Sequence, residues 1–167
     1  MNPELKCTEL GADELRLALG RYVTGVTIVT CRDEEGRAVG LTANSFNALS
    51  LDPPLVLWSL RRESPSIEAF TRATHFTVNV LAEDQIDLSR RFARPSAAKF
   101  EAGDWRDGHG GAPMLDGAVA VFECRRRSHH EAGDHILFIG EVERIACTAA
   151  PPLVYHAGHY RSLGDLI

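Results

Sequence analysis

Several familiar signatures are missing from this sequence, and each absence closes off a class of protein. There is no CxxC pair among Cys7, Cys31, Cys124 and Cys147, so neither a zinc knuckle nor a dithiol redox motif is written here. No apolar run approaches the ~20 residues that cross a bilayer, which argues against a membrane helix. There is no basic excess: the formal net charge is -5, which argues against a general nucleic-acid binder. No apolar leader opens the chain, where Glu4, Lys6 and Glu9 stand close together. Reduced thiols and a cytoplasmic location are the expectation from that opening, although an even cysteine count also allows two disulfides.

The usual nucleotide-binding and hydrolytic devices are missing too. No GxGxxG follows a strand, and there is no Walker A sequence and no GxSxG elbow. Any nucleotide must be held some other way. What is present is an ordinary globular mixture, with 44% hydrophobic and 25% charged residues in 167. A chain of this length buries roughly 70% of its unfolded surface and needs no staple. One domain over residues 1–167 is expected.

The pattern reads as strands. Asp13 and Glu14 ahead of Leu15 and Leu19 predict an N-terminal helix over about residues 12–22. Residues 23–30 are dense in β-branched side chains, and the polar turn at 33–36 leads into a second apolar stretch at 37–42, a hairpin. A short strand at 46–49 precedes Pro53 and Pro54. The run LVLWSL at 55–60 is apolar enough for a strand buried on both faces. Ser64-Pro65-Ser66 opens a short helix carrying Ile67 and Phe70. Phe76, Val78 and Val80 alternate with Thr77 and Asn79, a half-buried strand. A helix over 83–93 and a long loop over 94–117 follow, then strands at 118–127 and 136–146 joined through 128–135, and a last strand or turn at 153–160. Strands at this density, with three small helices outside them, predict an antiparallel barrel over about 23–163.

Three clusters invite a chemical reading. Gly40-Leu41-Thr42-Ala43-Asn44-Ser45-Phe46 sets short polar side chains at a strand end, where backbone N–H groups and hydroxyls hold a phosphate or the edge of a flat ring; a plain turn is the alternative. His129, His130, Glu131, Asp134 and His135 offer metal-ligand chemistry, against the alternatives of a solvated hairpin or a single histidine beside a cofactor. Gly108-His109-Gly110-Gly111 reads as a flexible turn.

Taken together, the runs YVTGVTIVT at 22–30, GLTANSF at 40–46, SLDPPLV at 50–56, FTVNVL at 76–81, Arg91-Phe92-Ala93 and Gly133-Asp134-His135 resemble the flavin reductase-like family, from about residue 15 to 163. The nearest likeness is to the short-chain reductase components of two-component, flavin-diffusible monooxygenases. The resemblance implies a mainly β fold, an FMN-binding split β-barrel, antiparallel and Greek-key-like, with a few peripheral α-helices, in a homodimer. It implies an NAD(P)H:flavin oxidoreductase that uses NADH or NADPH to reduce FMN or FAD for a separate monooxygenase.

By position, the resemblance implies that Thr42, Ala43, Asn44, Ser45 and Ser50 contact flavin, as do Trp58 and Ser59. Ser64 and Ser66 fall near its phosphate, and Ser89, Arg90 and Phe92 near its phosphate or adenylate end. His135 faces the nicotinamide as the catalytic residue, with Tyr155, His156, Gly158 and Tyr160 closing over the pyridine nucleotide. No metal is expected, and Arg61, Arg62, Arg90 and Arg91 compete as the phosphate-holding cation. The rival readings are a non-catalytic flavin- or haem-binding split barrel and a metal hydrolase built on His129, His130 and His135.

Overall fold

The computed structural model describes residues 9–165 together with Cys7. Helix α1 (Ala12–Leu19) is followed by strands β1 (Thr24–Gly25), β2 (Thr27–Arg32), β3 (Ala38–Ala43), β4 (Asn47–Leu51) and β5 (Pro54–Arg61). Helix α2 (Ile67–Arg72), β6 (His75–Val80) and α3 (Ile86–Phe92) come next. The short pair β7 (Trp105–Asp107) and β8 (Pro113–Leu115) precedes two long strands, β9 (Ala120–Ala132) and β10 (His135–Cys147), and the chain closes with β11 (Val154–His156) and β12 (His159–Arg161).

Seven strands form the main sheet in the order β3-β2-β6-β9-β10-β5-β4, every pairing antiparallel. The two margins of this sheet meet where Ser45, two residues past β3, clamps β5. Its hydroxyl accepts the Ser59 N–H at 2.9 Å and donates to the Ser59 carbonyl at 3.0 Å. That closure makes the barrel. A second sheet, β1-β11-β12, brings the C-terminal hairpin back beside the start of the barrel.

Two apolar clusters fill the interior. One gathers Val29, Val56, Trp58, Phe70, Phe76 and Phe138. There the Trp58 and Phe138 rings stack with centroids 4.7 Å apart, and Phe70 meets Trp58 edge-on. The other gathers Ile28, Leu81, Phe92, Leu115, Val121 and Leu153, and ties α3 to the barrel wall.

The structure revises several expectations. Helix α1 stops at Leu19 rather than near residue 22, where Gly20 continues as a turn. β5 alternates instead of burying both faces: Val56, Trp58 and Leu60 are buried, while Leu55, Leu57 and Ser59 are half-buried. β6 shows the reverse. Thr77 and Asn79 were expected on a wet face, yet both are fully buried. The reason lies in the stretch expected to be a bare loop, which carries the β7–β8 hairpin and packs it over that face. The Asn79 amide donates to the Ile28 carbonyl at 3.0 Å and accepts the Leu115 N–H at 2.8 Å, so its burial is satisfied. Finally, the connection over 128–135 shrinks to a two-residue turn, Gly133-Asp134, with Gly133 at φ +61°. His129, His130 and Glu131 therefore stand on a strand, alternating between its faces.

Candidate active site

The ends of three strands converge on a cleft of about 550 Å³. β3 runs out at Ala43, β5 runs out at Arg61, and β10 begins at His135, directly paired with Arg61. Around this mouth stand Leu41 to Ser45, Ser59 to Ser66 except Arg62, and His135; α3 and the segment after it add Phe92, Ala93, Arg94, Pro95 and Lys99. A smaller cleft of about 200 Å³ shares Thr42, Asn44 and Ala93 with it and adds Val26, Ser89, Tyr155 and Tyr160. The two form one trough across the barrel mouth.

Most of the expected residues come together here. Thr42, Ala43, Asn44, Ser45, Ser59, Ser64, Ser66, Phe92 and His135 line the larger cleft, and Ser89, Tyr155 and Tyr160 the smaller one. Five do not join them. Trp58 is fully buried in the barrel core. Ser50 sits in β4 opposite Leu55, well back along β5. Arg90 lies outside the trough, with its guanidinium 5.7 Å from the Tyr160 ring centroid. His156 lies in β11, and Gly158 forms part of the turn beyond it, beside α1.

The hydroxyls of the 42–45 turn are largely committed to holding the turn itself. Thr42 Oγ1 donates to the Ser89 carbonyl at 2.7 Å, and Ser45 is spent on Ser59. The turn is therefore braced from α3 on one side and β5 on the other, and Asn44 is its exposed polar side chain. Ser89, itself fully buried, hydrogen-bonds the Tyr160 hydroxyl at 2.8 Å and fastens the C-terminal hairpin to α3. Ser64 Oγ accepts the Ser66 N–H at 3.3 Å, which shapes the turn before α2.

His135 is oriented by its neighbour. Its Nδ1 lies 2.8 Å from Asp134 Oδ1, so a proton on Nδ1 leaves Nε2 uncommitted. That hydrogen bond is the main reason the Asp134 carboxyl is held below its ordinary value. The histidine cluster does not gather around it: His129 Nδ1 contacts Arg126 and His130 Nε2 contacts Ser128 Oγ, each at 3.0 Å.

One cation escaped the sequence reading. Lys99 stands on the cleft, half-buried, and donates to the carbonyls of Gly40 at 2.9 Å and Phe92 at 3.2 Å. Desolvation lowers its pKa. It lies in a stretch that reads as loop, seven residues past the end of α3, and nothing in its local sequence marks it. Of the four arginines considered, only Arg61 lines the cleft; Arg94 joins it, while Arg62 pairs with Glu131 at 3.4 Å and Arg91 donates to the Ala98 carbonyl.

A trough of this size, with a braced small-residue turn, apolar Leu41, Leu60 and Phe92, and three cations, fits a flat ring carrying an anionic tail. The comparisons with known proteins agree. Residues 19–164 match the model of the flavin reductase like domain, and the chain belongs to that family. It is 48% identical over 145 residues to FMN reductase (NADH) SmoA of Agrobacterium fabrum, covering 87% of this chain and 82% of that protein. It is 42% identical to the reductase component of the flavin-dependent trigonelline monooxygenase of Acinetobacter baylyi, over 88% of this chain, but spans only 47% of that protein's length. Among solved structures, the NADH:FAD oxidoreductase SgcE6 of Streptomyces globisporus superposes with a TM-score of 0.90 at 33% identity, covering 100% of this chain and 96% of that one. The same oxidoreductase has also been solved with NAD and FAD fragments, at a TM-score of 0.86 and 36% identity over 91% of this chain and 92% of that one.

Proposed function

We infer that this chain is an NADH- or NADPH-dependent flavin reductase, one flavin reductase-like unit working on FMN or FAD at the barrel mouth. The observation that carries the reading is the meeting of the braced 42–45 turn, His135 and three cations in one trough. A bound flavin would supply the two-electron chemistry there, as acceptor of the hydride whose loss oxidises the reduced nicotinamide. The protein's work is to bind and orient. The backbone of Thr42 to Ser45, with no large side chain at Ala43, gives a ring edge close access to the chain. Arg61, Arg94 and Lys99 supply positive charge for the phosphate. His135 presents Nε2 to the nicotinamide carboxamide, its ring held by Asp134. Tyr155 and Tyr160 cover the far end of the trough, where Ser89 anchors the tyrosine hairpin.

Two features support a wider context. Helix α1 buries none of its side chains, and Leu15, Leu17, Leu19, Tyr22 and Val23 are exposed together, a band suited to the subunit contact of a homodimer. Among the described residues, no helix is long and apolar enough to cross a membrane. The family likeness supports a cytoplasmic enzyme of the flavin-reductase class that hands reduced flavin to a separate monooxygenase.

The test is loss of reduced-nicotinamide absorbance with each of NADH and NADPH, with and without FMN, FAD or riboflavin. Turnover that depends on added or bound flavin is expected. A protein that binds flavin but never oxidises either nicotinamide would be a binding module, and the reading would be wrong.

A further inference from the structure

Far from the trough, a second cluster takes in the glycine-histidine stretch that the flavin reading leaves unused. His75 at the start of β6, His109 in the turn between β7 and β8, and Glu143 on β10 bring their ligand atoms within 4.8 Å of one another. Glu143 lies eight residues beyond His135 along β10, roughly 25 Å at about 3.3 Å per residue. The site is thus separate from the hydride-transfer cleft.

The distances are informative. His75 Nε2 and His109 Nε2 stand 3.4 and 3.3 Å from the same oxygen, Glu143 Oε2. Both are longer than a charge-assisted hydrogen bond, which is about 2.7–2.9 Å. Two donor atoms each about 2.0–2.1 Å from a tetrahedral zinc ion stand about 3.3–3.4 Å apart. We propose that His75, His109 and Glu143 form a zinc site with water as the fourth ligand, fastening the 108–111 turn to the barrel wall.

The surroundings are built to aim these three groups. Glu143 falls where the β9–β10 register slips between Val142 and Arg144, a bulge that re-aims a side chain. Its other oxygen, Oε1, takes Arg125 Nε at 3.2 Å, which leaves Oε2 to the two imidazoles. His75 Nδ1 lies 3.0 Å from Thr74 Oγ1, the outer hydrogen bond that orients a ligating ring. The backbone N–H of His109 donates to the buried Glu123 carboxylate. Gly110, at φ +75°, lies so close that a Cβ there would fall 2.3 Å from the His75 ring. Only glycine lets the turn carry His109 onto His75. Two imidazoles and one carboxylate are a ligand set for a borderline divalent ion rather than for calcium or magnesium.

The test uses the full chain stripped with EDTA and titrated with zinc against a chromophoric chelator, alongside thermal unfolding and a cobalt spectrum. One zinc per chain is expected, with Tm raised by roughly 5–10 °C when free zinc is about a hundredfold above Kd. Cobalt should give the visible bands of a tetrahedral site. His109→Gln and Glu143→Gln should each weaken zinc binding at least tenfold and abolish those bands, whereas His130→Gln should change neither. Loss of zinc in His130→Gln but not in His109→Gln would overturn the site. So would wild-type protein that holds less than one zinc per chain or shows no tetrahedral cobalt spectrum, a result that needs no variant to fold.

Discussion

Replacing Lys99 with methionine isolates what one positive charge does at the barrel mouth. Methionine keeps most of the aliphatic stem and removes the ammonium, which lies 5.8 Å from the Phe92 ring centroid. That ammonium has three N–H donors, and the carbonyls of Gly40 and Phe92 take two. The third is free for a ligand in the cleft that Lys99 lines. A hydrogen bond to a charged group contributes about 1.5–3 kcal/mol, so its loss should weaken FMN binding roughly 10- to 100-fold. Riboflavin has the same ring and no phosphate, and its affinity should move by less than about threefold, because the ring contacts remain. Fluorescence titration of both flavins against folded wild-type and Lys99→Met protein measures the split. Unchanged FMN affinity would refute the phosphate role. An equal loss for both flavins would refute it too, and would assign Lys99 to bracing β3 against α3 through its two carbonyl contacts.

Two further predictions concern the barrel. A Cβ on Gly140 would fall 2.4 Å from Phe76 Cζ and 3.0 Å from Cys124 Cβ, so Gly140→Ala overpacks the core by about 1–3 kcal/mol and should lower Tm by roughly 2–12 °C in a thermal scan; an unchanged Tm would show that the wall yields there. Burial pushes the Cys31 and Cys124 thiols up to about 12, while Cys7 and Cys147 are exposed. Both buried thiols stay protonated at pH 8, so a thiol-specific disulfide reagent should label Cys7 and Cys147 in the native protein and all four cysteines after unfolding; rapid labelling of Cys31 in the native state would contradict the packing.

The β-rich class and the positions of most strands were legible because β-branched runs and turn residues are local signals. The 40–46 turn was legible because its small polar residues cluster in one stretch. What could not be read was long-range. Asn79 looks like a solvent-facing residue until the β7–β8 hairpin is folded over it and its amide finds Ile28 and Leu115. Trp58 sits between two residues with a wetter side, and only the closure of the barrel places its ring against Phe138 instead of in the trough. Lys99 reaches the cleft through a loop whose path no periodicity records. His75, His109 and Glu143 lie 34 residues apart in each step (75 to 109, 109 to 143), so their meeting depends on strand pairing and a bulge rather than on a motif.

The most direct measurement of the central claim is single-turnover reduction of flavin by NADH in wild-type and His135→Ala protein, with flavin affinity determined in parallel. His135 lines the cleft with Nδ1 fixed by Asp134, and its proposed contact is with the nicotinamide. Losing one polar contact of about 1–3 kcal/mol predicts a roughly 5- to 150-fold fall in the ratio of the reduction rate constant to the NADH Kd, with flavin affinity within about threefold of wild type. Full activity in His135→Ala, or a loss carried entirely by flavin binding, would contradict it.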